Sequence, residues 1–190
     1  VFVILSYAYV GGPFEPLTVE KANFERINLL VGATGSGKTR FLNVMFNFAS
    51  TITKGVPFRK GKWDITARTA QFEYVWSYEG AGEMNSDGQI VRELLTCRKC
   101  NVEDATVETL VERTGEQFLF CGKELPKLEK DKSSVTLLKE EEKVAPLYSL
   151  FSHMQRRSFQ MDGLQSAIAI GNIPSSMIQS HKSKKDLEEK

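Results

Sequence analysis

NLLVGATGSGKTRFLN, residues Asn28–Asn43, runs from apolar side chains through three glycines to a lysine and a threonine, then back into apolar sequence. Gly32, Gly35, Gly37, Lys38 and Thr39 satisfy G-x-x-x-x-G-K-[ST], the spacing of a phosphate-binding loop. Successive backbone N–H groups can wrap a polyphosphate only where positive φ is permitted and no Cβ intrudes, which is why glycine recurs. The same N–H groups open a helix, and the helix dipole favours an anion at that end. In this pattern Lys38 reaches the phosphates as a point charge and the Thr39 hydroxyl is the expected Mg2+ ligand. The predicted binding set is Gly32, Thr34, Gly35, Ser36, Gly37, Lys38, Thr39 and Arg40, with a nucleoside triphosphate and Mg2+ as the expected ligands.

The flanks fit that reading. Ile27–Val31 is a short apolar run suited to a buried strand. Beyond the loop, Phe41, Leu42, Met45, Phe46, Phe48, Ala49 and Ile52 recur at helical spacing, with Arg40, Asn43, Asn47 and Ser50 as a narrow polar stripe. Strand, glycine loop and buried helix follow in the order that phosphate binding requires. Hydrolysis requires more, usually an aspartate closing an apolar strand to hold Mg2+ through water. None of the six aspartates (Asp64, Asp87, Asp104, Asp131, Asp162 and Asp186) follows a run of four apolar residues, so no catalytic residue is assigned.

The whole chain sets few further limits. Its 190 residues can bury a sizeable core without staples, and 25 basic against 24 acidic residues leave a net charge of +1. That balance demands neither a nucleic-acid nor a membrane partner. The early apolar run VFVILSYAYV is about half the roughly 20 residues that span a bilayer, and it predicts a buried strand. Three irregularly spaced cysteines suit a reducing cytoplasm. Cys97 and Cys100 form a C-x-x-C with Cys121 downstream, but zinc would need His153 or His181 as well, so unligated thiols are the default.

Downstream, Phe72, Tyr74, Trp76 and Tyr78 alternate as one face of a strand, and QIVRELL is its return strand across a turn. Such a stripe can stack bases of single-stranded nucleic acid, but a packing face is favoured. A second strand pair is predicted at Ala105–Arg113 and Gln117–Cys121. CGKELPKLEKDKSS is expected as a solvated loop. From Val144 to Gln160, Leu147, Leu150, Phe151 and Met154 share a helical face after Pro146, and Arg156 and Arg157 are placed on its exposed side. The polar tail closes the chain, giving a division into 1–160 and 161–190, with the second part helical or frayed.

This order of features resembles the N-terminal lobe of ABC-type head ATPases in the SMC, RecF and OLD group, which includes ATPases of bacterial anti-phage defence. The likeness rests on PFEPLTVEKANFERINLLVGATGSGKTRFLNVMFNF, then FEYVWSYEG…GQIVRELL and VERTGEQFLF. Thr34 stands where many members have asparagine. The resemblance implies an α/β P-loop NTPase fold with a mixed sheet, an antiparallel β-subdomain around the loop helix, and C-terminal helices. It also implies ATP as the nucleotide, a head-to-tail dimer with a second copy or a related head, an attached DNA or effector partner, and no membrane role. The family's signature loop and acidic motif have no counterpart here, so the other half of such a head would lie past Lys190 or on another chain. Two rival readings are a self-contained P-loop kinase or nucleotidase, with Arg59, Arg68, Arg98, Arg156 and Arg157 available to a lid, and a nucleotide sensor without turnover.

Overall fold

A computed structural model describes residues 3–12, 16–55, 60–81, 88–102, 104–126, 129–161 and 164–171. The N-terminal run forms β1 (Val3–Gly11) as expected, followed by β2 (Thr18–Asn23) and the long helix α1 (Lys38–Lys54). Next come β3 (Gly61–Arg68), β4 (Phe72–Ala81), β5 (Gln89–Lys99), β6 (Glu108–Arg113), β7 (Phe118–Phe120) and β8 (Lys123–Glu124). Two short helices, α2 (Ser134–Leu137) and α3 (Ala145–Ser152), precede the hairpin of β9 (Gln155–Met161) and β10 (Leu164–Gly171).

Eight strands make one sheet in the order β2-β1-β3-β4-β5-β6-β7-β8, and every pairing in it is antiparallel. This overturns the expected α/β fold with a mixed sheet. The physical reason lies around β1. Strands β2 and β3, which α1 connects, run in the same direction, but both pair with β1 and lie on either side of it. The crossover that makes a parallel pair elsewhere therefore ends one strand too far away, with β1 filling the gap. The C-terminal helices are corrected too. Helix α3 stops at Ser152, and Arg156 and Arg157 lie on strand β9 instead of on a helix face.

The register places the large side chains in rows across one face. Tyr9, Trp63, Tyr78, Glu93, Arg113 and Phe118 are successive partners, as are Tyr7, Ile65, Trp76, Leu95, Val111 and Phe120. The stripe Phe72, Tyr74, Trp76 and Tyr78 is buried in this face, so it is a packing surface and offers no rings for stacking bases. The opposite face carries cross-strand charge triads, Arg68–Glu73–Arg98 and Lys62–Glu79–Arg92, which suit a solvated sheet surface. Ser133 and Ser134, expected in a solvated loop, are buried: the Ser133 side chain caps α2 by accepting the Thr136 N–H.

Helix α1 covers the aromatic face. Phe48 lies 5.2 Å from the Trp76 ring, 5.6 Å from Trp63, 5.7 Å from Phe151 and 5.9 Å from Tyr78. The hydroxyl of Thr136 in α2 donates to the Ile52 carbonyl near the other end of α1, at 2.8 Å. Gly55 then ends α1 in a left-handed conformation, φ 64°, its N–H bonding Thr51 O. Replacing Phe48 by leucine keeps an apolar group but loses four edge and tilted ring contacts. The expected cost is about 1–2 kcal/mol, read as a lower urea midpoint with altered tryptophan emission. An unchanged midpoint would show that α1 is not seated through this ring.

Candidate phosphate-binding site

The predicted binding residues occupy the entry to α1. Gly35 and Gly37 have φ of 82° and 86°, the left-handed values that the motif anticipated, and Gly37 is the residue from which the helix starts. Ser36 N–H donates to Ala33 O at 3.2 Å, folding the loop into a tight turn. The Lys38 ammonium curls back over that turn. Its Nζ donates to Gly32 O at 2.7 Å, to Ala33 O at 2.6 Å and to Ser36 Oγ at 3.2 Å. Gly32, Ala33, Thr34, Gly35, Ser36, Thr39 and Arg40 are exposed.

Helix α1 has no side-chain cap at its start and no acidic residue in its first turn. The opening N–H groups of a helix have no partner within it, and the glycine N-cap Gly37 supplies no side-chain cap for those of α1. A helix start of this kind beside an ammonium has the chemistry to receive an anion. The positive φ values and the helix thus agree with the sequence reading. The preceding segment does not. Ile27, Leu29 and Val31 are 86%, 86% and 75% exposed, and the run 27–31 belongs to no strand. The expected buried strand is corrected: β1 is already paired along both edges, and the outer edge of β2 takes no partner among the described residues. What orders its start is local: Asn28 accepts the Glu25 N–H at 3.0 Å and donates to Glu25 O at 2.7 Å.

The other candidates lie away from this loop. Asp64 is on the solvated face of the sheet, accepting a hydrogen bond from Ser77 Oγ at 2.5 Å. Arg68 and Arg98 both bind Glu73 there; burial works against that carboxylate's charge, but the two guanidinium groups outweigh it and hold its pKa below the ordinary value. Arg59 falls outside the described residues. Cys97 is buried on β5, its thiol pushed up to about 11 by burial and by the nearby Glu108. Cys100 sits past the strand end with its Sγ 3.9 Å from Thr69 O, and Cys121 is exposed. Among the described residues no three of His, Cys, Asp and Glu converge to hold a metal ion.

Sequence reasoning missed the buried carboxyl group of Glu93. Its carboxylate accepts from Trp76 Nε1, Ser134 Oγ and Ser134 N–H, and Arg113 Nη1 lies 3.8 Å away. Only its inward position in the alternation of β5 signalled it. No helix among the described residues is long and apolar enough to cross a membrane. No protein-family model matches the chain, and comparisons with curated proteins and with solved structures found no match.

Proposed function

We propose that the chain binds the phosphates of a nucleoside triphosphate, with ATP and Mg2+ as its ligands, through the loop and first turn from Gly32 to Arg40. The observation that supports this most is the Lys38 ammonium, folded onto the turn from Gly32 to Ser36 at the uncapped start of a 17-residue helix, with left-handed glycines at 35 and 37. Phosphate oxygens would take over the acceptor role that the Gly32 and Ala33 carbonyls now play for Nζ, and the first-turn amides would donate to the same oxygens. Thr39 would give Mg2+ one hydroxyl ligand, the phosphates and water supplying the rest. The bound metal would neutralise the phosphate charge.

Pairing with a second copy or a related head, and a coupled DNA or effector partner, are the wider form of this proposal. Its support is the apolar approach to the loop, which leaves Ile27, Leu29 and Val31 open to a partner. The self-contained kinase reading loses support because Arg68 and Arg98 are held by Glu73 on the solvated face.

The test is a binding series at fixed Mg2+ with ATP, ADP, AMP and adenosine. Affinity should fall steeply as phosphates are removed, with adenosine the weakest. Equal binding of adenosine and ATP would place the ligand contact elsewhere and end the phosphate-loop reading. Light scattering with and without Mg·ATP tests the pairing.

A further inference from the structure

The chain enters and leaves the loop region through aromatic rings that meet each other. Phe24, directly after β2, stacks on Tyr7 with ring centroids 5.8 Å apart and planes only 10° from parallel. Phe41, in the first turn of α1, lies 5.1 Å from the same tyrosine ring and 6.2 Å from Phe24. Tyr7 projects from β1, is 1% exposed, and donates its hydroxyl to Phe41 O at 2.9 Å. Phe24 is fixed from its own backbone as well, its N–H donating to Leu5 O at 2.7 Å. Residues 25–40 therefore form a segment closed at its base, in the manner of compact surface loops whose ends touch.

We propose that Tyr7, Phe24 and Phe41 act as a clasp that positions the glycine loop for phosphate, Tyr7 being the positioning residue. This rests on the nucleotide-binding reading above. None of the three need touch the ligand. The clasp works by fixing where the segment begins and where α1 begins, so the entropy of closing residues 25–40 is met during folding and not on binding. Without it, the conformation with Lys38 over the loop is a smaller fraction of the ensemble, and apparent affinity falls by that fraction. The Tyr7 phenol is suited to the role. Burial, then the neighbouring Tyr9, raises its pKa above the ordinary value, so it remains a proton donor at any working pH.

The experiment compares the intact chain with Tyr7→Phe, Phe24→Leu and Lys38→Ala, measuring Mg·ATP affinity well below the unfolding temperature and amide hydrogen exchange over residues 32–41. Tyr7→Phe deletes one hydroxyl and keeps the ring. It should weaken Mg·ATP about threefold to tenfold, the scale of one lost hydrogen bond, and speed exchange in the loop and first turn. Tryptophan emission from the core should stay unchanged. Phe24→Leu, altering a ring outside the fully buried core, should do the same and covers the case in which Tyr7→Phe folds poorly. Wild-type affinity and wild-type exchange in both variants, with binding lost in Lys38→Ala, would overturn the clasp while leaving the nucleotide reading intact. A purely structural role is also distinguishable, since stability would then fall with no change in affinity or loop exchange. Wild-type affinity in Lys38→Ala would instead remove the nucleotide reading and the clasp's assigned purpose together.

Discussion

Replacing Lys38 by alanine is expected to weaken Mg·ATP binding about a hundredfold or more while leaving the fold as stable as before. The size follows from the contacts at stake. An ammonium to phosphate oxygen is a charge-assisted bond of about 1.5–3 kcal/mol, and two such bonds exceed a factor of one hundred. The second half of the expectation follows from position. Lys38 Nζ bonds only loop acceptors, Gly32 O, Ala33 O and Ser36 Oγ, and these can turn to water when it is removed. Adenosine provides the control. The variant should bind it as the wild type does, because the lysine reads phosphate and not base. Lys38→Arg should also bind weakly, since a planar fork does not replace a compact ammonium in a cradle of backbone amides. Undiminished ATP affinity in Lys38→Ala would remove the foundation of the functional proposal.

The loop was legible because its chemistry is local. Positive φ at Gly35 and Gly37, the helix start and the placement of Lys38 all follow within a few residues of the motif. The β4–β5 hairpin and the inward aromatic stripe were legible for the same reason, alternation being visible along one strand. The sheet's order was not. A P-loop is tied to a mixed sheet by association and not by physics, whereas the observed sheet is decided by β1 pairing with both β2 and β3. Strand β3 went unread although Trp63, Ile65 and Ala67 alternate with Lys62, Asp64 and Thr66. The end of α3 was misjudged because Leu147, Leu150, Phe151 and Met154 keep helical spacing to the point where β9 begins. Asp162-Gly163, a strong turn dipeptide, was the competing signal that a hairpin follows.

The loop's helix is also held from its far end, and that support depends on Glu93. This carboxylate is fully buried, and through Ser134 it fixes the start of α2, whose Thr136 bonds the Ile52 carbonyl of α1. Glu93→Ala would orphan the Trp76 N–H and the Ser134 N–H, and would leave Arg113, itself 5% exposed, without its carboxylate. The expected loss is about 3–5 kcal/mol, a large share of the stability of an ordinary domain. Glu93→Gln keeps the shape and separates charge from packing. Burial is the leading influence on Glu93 and raises its pKa above the ordinary carboxylate value, although Ser134, Arg113 and Trp76 pull the other way. The native state then holds this proton more tightly than the unfolded chain does. Stability from this group is greatest below the ordinary carboxylate pKa and declines as pH rises from there through the raised value. Glu73 acts in the opposite sense, its lowered pKa giving stability that is lost as pH falls. The difference between wild type and Glu93→Gln therefore isolates the buried group. Urea midpoints measured from about pH 4.5, near the unfolded carboxylate value, to neutrality should decline more steeply with pH in the wild type. Parallel curves would mean that Glu93 has the same acidity folded and unfolded, the pull of Arg113, Ser134 and Trp76 offsetting burial in full.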